Sequence, residues 1–128
     1  KTINNHLKLA DHMELIQLRR LRLVGSNVVL SEQIWLPESK FAPLLRFAPH
    51  EFGNLLYPFY YQHCGQFILS AKETLSFTSE QEDEDLNAHQ GDLLVNIERI
   101  AYNLENQPVE YRVSLGQPEN FKYELRIT

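Results

Sequence analysis

The sequence predicts an α+β domain: an antiparallel β-sheet with helices inserted between its hairpins. Three observations carry this prediction. Stretches that alternate apolar and polar residues outnumber stretches with helical spacing. Neighbouring alternating stretches are joined by short turns rich in Gly, Asn and Pro, as hairpins are. The helical stretches fall between those hairpins, an order that packs helices on one side of an antiparallel sheet.

Taken in order, residues 1–14 are mixed and polar and read as a lead-in or short edge strand. From Gln17 to Val24 the residues alternate, with Leu18, Arg20 and Arg22 on one face and Leu21 and Leu23 on the other. Gly25-Ser26-Asn27 is turn chemistry, because Gly and Asn tolerate positive φ. A second strand, Val28 to Leu36, stops at Pro37. Residues 38–51 read as one short helix and irregular chain between prolines. Gly53-Asn54 then offers a helix N-cap, Leu55, Leu56, Phe59 and Tyr60 fall at helical spacing, and Cys64-Gly65 ends the helix. Gln66 to Phe77 reads as a strand, and Ser79 with Glu82 as the capping box of a short acidic helix ending near Leu86-Asn87. Leu93–Leu104 and Val109–Leu115 form a hairpin about Glu105–Pro108, and Phe121–Ile127 closes the chain as a last strand.

The bulk numbers narrow the function. A chain of 128 residues is one domain, and 43% hydrophobic with 11% aromatic content is that of a folded globule. A formal charge of -5 argues against direct grip on a phosphate backbone, which needs a basic stripe. The single cysteine, Cys64, excludes an internal disulfide and fits a reducing, cytoplasmic setting. No run of apolar residues is long enough to span a bilayer. Phosphate-loop, nucleophile-elbow and zinc-helix motifs are all missing, and the five histidines have no ligand spacing. No catalytic residue, metal or cofactor is therefore expected. The "EQEDED" run reads as solvated acids at a helix start, and Cys64 beside His63 as packing rather than a nucleophile and base.

The arginines are less easily dismissed. Two guanidiniums two residues apart on one strand face can clamp a phosphate or a carboxylate. Register decides whether Glu32 joins them. A two-residue turn puts Arg20 opposite Ser31, whereas a three-residue loop, Gly25-Ser26-Asn27, puts Arg20 opposite Glu32 and Arg22 opposite Leu30. The second is favoured because it gathers the polar groups and hides the leucines. In "QPVEYRVSL", Val109, Tyr111 and Val113 alternate with Glu110, Arg112 and Ser114. Glu110 is either a surface partner of Arg112, worth little, or an acid facing the same cavity.

Together "RRLRLVGSNVVLSEQIWLP", "NLLYPFYYQHCG" and "SEQEDEDLNAHQGDLLVNIERIAYNLENQPVEYRVSL" resemble the effector-sensing UTRA domain of GntR-type bacterial transcription regulators, in their HutC branch. The shared rhythm falls at Arg20 and Arg22; Glu32 before Trp35-Leu36-Pro37; Leu56-Tyr57; Leu86-Asn87; Gly91, Leu94, Arg99 and Tyr102; and Pro108-Val109-Glu110-Tyr111. The resemblance implies a chorismate lyase-like fold in residues 19–128 after a lead-in at 1–18. It also implies a homodimer, a small polar or anionic effector, and DNA contact only through a winged helix-turn-helix expected upstream. Arg20 and Arg22 would hold an anion, Glu32 and Glu110 polar groups, with Tyr57 beside them. Two departures weaken a phosphate site: Leu55 stands where the family has a serine at the helix start, and "GQPENF" (Gly116–Phe121) lacks the family's tyrosine and two arginines. The alternative is a stand-alone lyase-like enzyme on a small anionic substrate.

Overall fold

The computed structural model describes residues 2–121 and 126–127. Its centre is one five-stranded antiparallel sheet built from β1 (Leu15–Val24), β2 (Asn27–Pro37), β3 (Ile68–Thr78), β4 (Leu94–Asn103) and β5 (Pro108–Gly116). The strand order is β1-β2-β5-β4-β3. A short α1 (Thr2–His6) precedes the sheet, and α2 (Glu38–Phe41), two 3-10 turns (Ala42–Arg46 and Pro49–Glu51) and α3 (Leu56–Cys64) connect β2 to β3. That connection crosses the sheet from β2, next to the β1 edge, to β3 at the opposite edge, and β5 returns to lie between β2 and β4. The α+β class with helices between hairpins is what the periodicities predict. The expected final strand, Phe121–Ile127, lies largely outside the described residues.

The sheet is covered unevenly on its two faces. On one, Ile16, Ile34, Leu36 and Val109 pack against Phe41, Leu44, Phe52, Leu56 and Tyr60 of the connection. Phe41 and Tyr60 are fully buried and meet edge to face at 4.9 Å, a geometry worth about 0.5–1.5 kcal/mol beyond the area buried. On the other face a smaller cluster joins Leu86, Ala88 and Leu94 to Val28 and Leu115. His6 of α1 stacks on Tyr111 there, 4.3 Å between ring centroids and nearly parallel at 4°.

Residues 79–92 correct one expectation: no helix forms. Asp83 and Ala88 pair in an isolated bridge, the Asp83 side chain accepts from the Leu86 N–H at 3.1 Å, and Asn87 turns the chain at φ 54. A helix would place Glu80 and Glu84 one turn apart and repelling, and this turn instead buries both Leu86 and Ala88. Leu21 and Leu23 are a second correction. They are 40% and 53% exposed, because β1 is an edge strand and nothing among the described residues covers its outer face there.

Candidate functional site

The first hairpin reaches the favoured register by a different device. The turn has two residues, Gly25 and Ser26, with Gly25 at φ 64, the positive value a type II′ turn needs at its first central position. Val24 pairs with Asn27 and Leu23 with Val28, but Arg22 pairs with Leu30. Val29 is therefore the extra residue of a bulge, and beyond it Arg20 faces Glu32. A second bulge acts on β5. Ala101 pairs with Glu110 but Tyr102 with Pro108, leaving Val109 extra. Val109 and Glu110 accordingly both turn toward the helices: Val109 joins the core, and Glu110 meets the tyrosines of α3.

Across the sheet these registers align two rows on the helix-covered face. Arg20, Glu32, Ser114, Ile97 and Leu75 form one; Leu18, Ile34, Arg112, Arg99 and Glu73 form the next. Where α3 begins, its first turn and the polar ends of the rows enclose a cavity of about 340 Å³, within the range of small-molecule sites. Arg20, Arg22, Glu32, Arg99 and Arg112 line the sheet side, and residues 54–58 the helix side. Of the residues singled out from sequence, Arg20, Arg22, Glu32 and Tyr57 thus share one cavity. Glu110 is not in its lining. It is 0% exposed and lies beneath Tyr57.

Glu110 is the anchor of the cavity floor. Its Oε1 accepts from the Tyr57 hydroxyl at 2.9 Å, and its Oε2 from the Tyr60 hydroxyl at 2.7 Å and from Arg112 Nη2 at 2.8 Å. Burial, then the neighbouring Glu110 carboxylate, push the Tyr57 phenol up to about 12 and the Tyr60 phenol well above its ordinary value. Burial alone would lower the pKa of Arg112, yet its carboxylate partner raises it overall. Arg112 also lies 3.9 Å from Glu32, which accepts from the Ser114 hydroxyl at 2.9 Å. Arg99 bonds Glu73 at 2.7 Å through both Nε and Nη2 and donates from Nη1 to the Tyr57 oxygen at 2.9 Å. Both guanidiniums sit over the Tyr57 ring, at 5.6 and 5.9 Å from its centroid.

The β1 arginines are held differently. Arg20 donates one Nη2 hydrogen to the Gly53 carbonyl, while its Nη1 is buried with no partner among the described residues. Burial lowers its pKa, Glu32 opposes that, and Arg112 and Arg22 add to it. Arg22 stands at the mouth and forms no ion pair among the described residues. Set against Arg20, Arg22, Arg99 and Arg112 are the carboxylates Glu32, Glu110 and Glu73. Four cations less three anions leave one positive charge, on the β1 side.

The helix start departs from expectation. The N-cap is Leu55, not Asn54, and no side chain caps the helix. The first-turn N–H groups of Leu56 and Tyr57 are left to the cavity, while Pro58 has none to offer. Gly65 ends the helix at φ 68, as Cys64-Gly65 predicts.

Sequence reasoning did not include Arg99 and Arg112 in the site. The second hairpin sets Arg99 directly opposite Arg112 only because the Val109 bulge shifts its register by one residue. Like charges facing across strands destabilise a sheet unless something neutralises them. Cys64 and His63 have packing roles: His63 lies against Phe47 and Phe59, at 4.5 and 4.3 Å, and burial pushes the Cys64 thiol up, away from thiolate. Among the described residues no group of three or more His, Cys, Asp or Glu side chains could hold a metal ion, and no helix is long and apolar enough to cross a membrane.

The model of the UTRA domain family matches residues 1–122. No curated protein sequence matches the chain. Among solved structures, the C-terminal domain of Yurk from Bacillus subtilis superposes with a TM-score of 0.86 at 17% identity, over 98% of this chain and 87% of that one. A GntR-family transcriptional regulator from Enterococcus faecalis gives 0.81 at 20% identity, over 98% and 90%. PhnF from Mycobacterium smegmatis gives 0.81 at 17% identity, over 100% of this chain and 56% of that one. At these identities the superpositions establish a shared fold.

Proposed function

We propose that this chain, which belongs to the UTRA domain family, is the effector-sensing domain of a GntR-type transcription regulator of the HutC branch. Its ligand is a small anionic metabolite bound in the cavity between β1 and the start of α3. One observation carries the reading: among the described residues the buried Arg20 Nη1 has no partner and sits beside an unpaired Arg22 in a cavity with one excess positive charge. An unsatisfied buried guanidinium nitrogen costs free energy that an anionic ligand oxygen recovers. The first turn of α3, which no side chain caps among the described residues, adds N–H groups beside the same cavity.

The roles then divide. Arg20 and Arg22 hold the anion, and Glu32 accepts from a hydroxyl or amine of the ligand. Glu110 is a positioning residue, acting through Tyr57 and Arg112. Phosphate and carboxylate both suit the guanidiniums, and Leu55 offers a phosphate no hydroxyl. In the whole regulator, residues 19–128 form the sensing unit of a cytoplasmic homodimer. DNA is bound by an N-terminal winged helix-turn-helix, and effector and operator affinities change one another reciprocally.

Thermal-shift titration with phosphate, sulfate, small mono- and dicarboxylates and sugar phosphates tests the reading. A ligand of the folded state at a hundred times its Kd adds about 2.7 kcal/mol of stability and raises the midpoint. Arg20→Ala and Arg22→Ala are expected to lose that shift while melting close to the unliganded parent. A panel with no anion-dependent shift, or arginine variants that unfold, overturns it.

A further inference from the structure

Arg112 uses only part of its hydrogen-bonding capacity. It is 7% exposed, lines the cavity and donates from Nη2 to Glu110 at 2.8 Å. That is its one hydrogen bond among the described residues, although a guanidinium carries five N–H donors. Its Nε is buried with no partner among them. Its Nη1 stops 3.9 Å from Glu32 Oε2, too far for a hydrogen bond. Glu32 is also buried, lines the same cavity and takes its hydrogen bond from Ser114 instead. A donor and an acceptor thus stand side by side in the cavity wall without satisfying each other.

We propose that the gap between Arg112 and Glu32 is a second subsite, and that Arg112 restricts the effector to a singly charged carboxylate ending in a hydroxyl or carboxamide. The inference rests on the anion site at Arg20 and Arg22 proposed above and names the ligand class that site serves. Only an uncharged group that both accepts and donates satisfies the pair: its oxygen accepts from Arg112 while its hydrogen goes to Glu32. A methyl end satisfies neither and takes water from both. A second carboxylate would meet Glu32, and an ammonium would meet Arg112, like charge against like.

Charge gives the same ranking. The four guanidiniums and three carboxylates of the site leave one positive charge, which one carboxylate neutralises. A dicarboxylate leaves the site negative, as does a phosphate monoester with its charge of about −1.5 to −2. An amino acid leaves it positive. Arg112 decides this outcome, because without it Glu32 and Glu110 would turn the same wall toward amines.

Isothermal titration calorimetry at neutral pH reads the ranking directly. The probes are short straight-chain carboxylates of matched length ending in methyl, hydroxyl, carboxamide, carboxylate or ammonium. The hydroxyl or carboxamide acid is expected to bind about tenfold tighter than the other three, the worth of one hydrogen bond to a charged group. Glu32→Gln keeps the shape, adds one positive charge to the site and is expected to tighten the dicarboxylate about tenfold over the parent. Arg112→Lys keeps a cation for Glu110 but loses the planar fork, and is expected to bind methyl- and hydroxyl-ended acids alike. Four results overturn the inference and leave the anion site standing: a methyl-ended acid that matches the hydroxyl and carboxamide acids, a dicarboxylate or amino acid that outbinds them, a dicarboxylate no tighter in Glu32→Gln, or a preference that survives Arg112→Lys. Binding of a phosphate monoester with none of these acids does the same. No binding of any anion overturns the anion site and the inference together.

Discussion

A single carboxylate, that of Glu110, organises three side chains of the protein interior. It holds the hydroxyls of Tyr57 and Tyr60 and the guanidinium of Arg112 while itself fully buried. Glu110→Ala removes the partner of a buried cation and should cost about 3–5 kcal/mol, read as a lower urea midpoint. Glu110→Gln keeps an acceptor for the tyrosines and should cost less. Arg20 is the opposite case. It is half-buried, one of its nitrogens is unsatisfied among the described residues, and its removal should leave stability within about 1 kcal/mol while abolishing anion binding. Stability and ligand response thus separate cleanly between two residues that sequence reading placed in one group. The alternation around Glu110 left open whether it is a surface partner of Arg112 or an acid facing the cavity; that it anchors the floor follows from the Val109 bulge, which no alternation reveals.

At the scale of elements, the helix α3 carries the clearest opportunity for a gain. Its N-cap is Leu55, whose side chain offers no acceptor. Leu55→Ser should stabilise the helix by roughly 0.5–2 kcal/mol, measured by urea unfolding. It should also tighten phosphate more than carboxylate if the hydroxyl reaches the ligand. At the other end, Gly65 holds φ 68, and Gly65→Ala should cost roughly 1–2 kcal/mol because a Cβ clashes in that conformation. The helix and five strands were legible because each has one periodicity over many residues. The acidic segment was not. Its capping-box residues are present, but the burial of Leu86 and Ala88 outweighs a short helix of like charges.

Across the whole molecule, the buried phenols tie stability to alkaline pH. An ordinary phenol titrates near 10, and in the folded chain Tyr57 is pushed up to about 12 by burial and by Glu110, with Tyr60 also raised well above its ordinary value by burial and then by Glu110. The unfolded chain thus gives up these protons first. Their contribution is complete below pH about 10 and is lost as pH rises through the folded values. Urea unfolding followed from pH 8 to 11.5 should be flat in this respect to about 10 and then decline. Tyr57→Phe should make that decline shallower. A parent whose decline is no steeper than that of the variant refutes the assignment.

The chain's own order of residues determined its class, its hairpins and the helix that faces them, because hydrophobic period and turn chemistry are local properties. It also placed Arg20 and Arg22 on one face and favoured Glu32 beside them, but the register that brings Glu32 there comes from a two-residue turn with a bulge at Val29 rather than from the three-residue loop expected. Only the tertiary structure decided that Arg99 and Arg112 complete the wall and that Glu110 lies beneath it. Those outcomes depend on which strand β5 joins, and on two one-residue bulges, at Val29 and Val109, that shift register without any mark in the hydrophobic pattern.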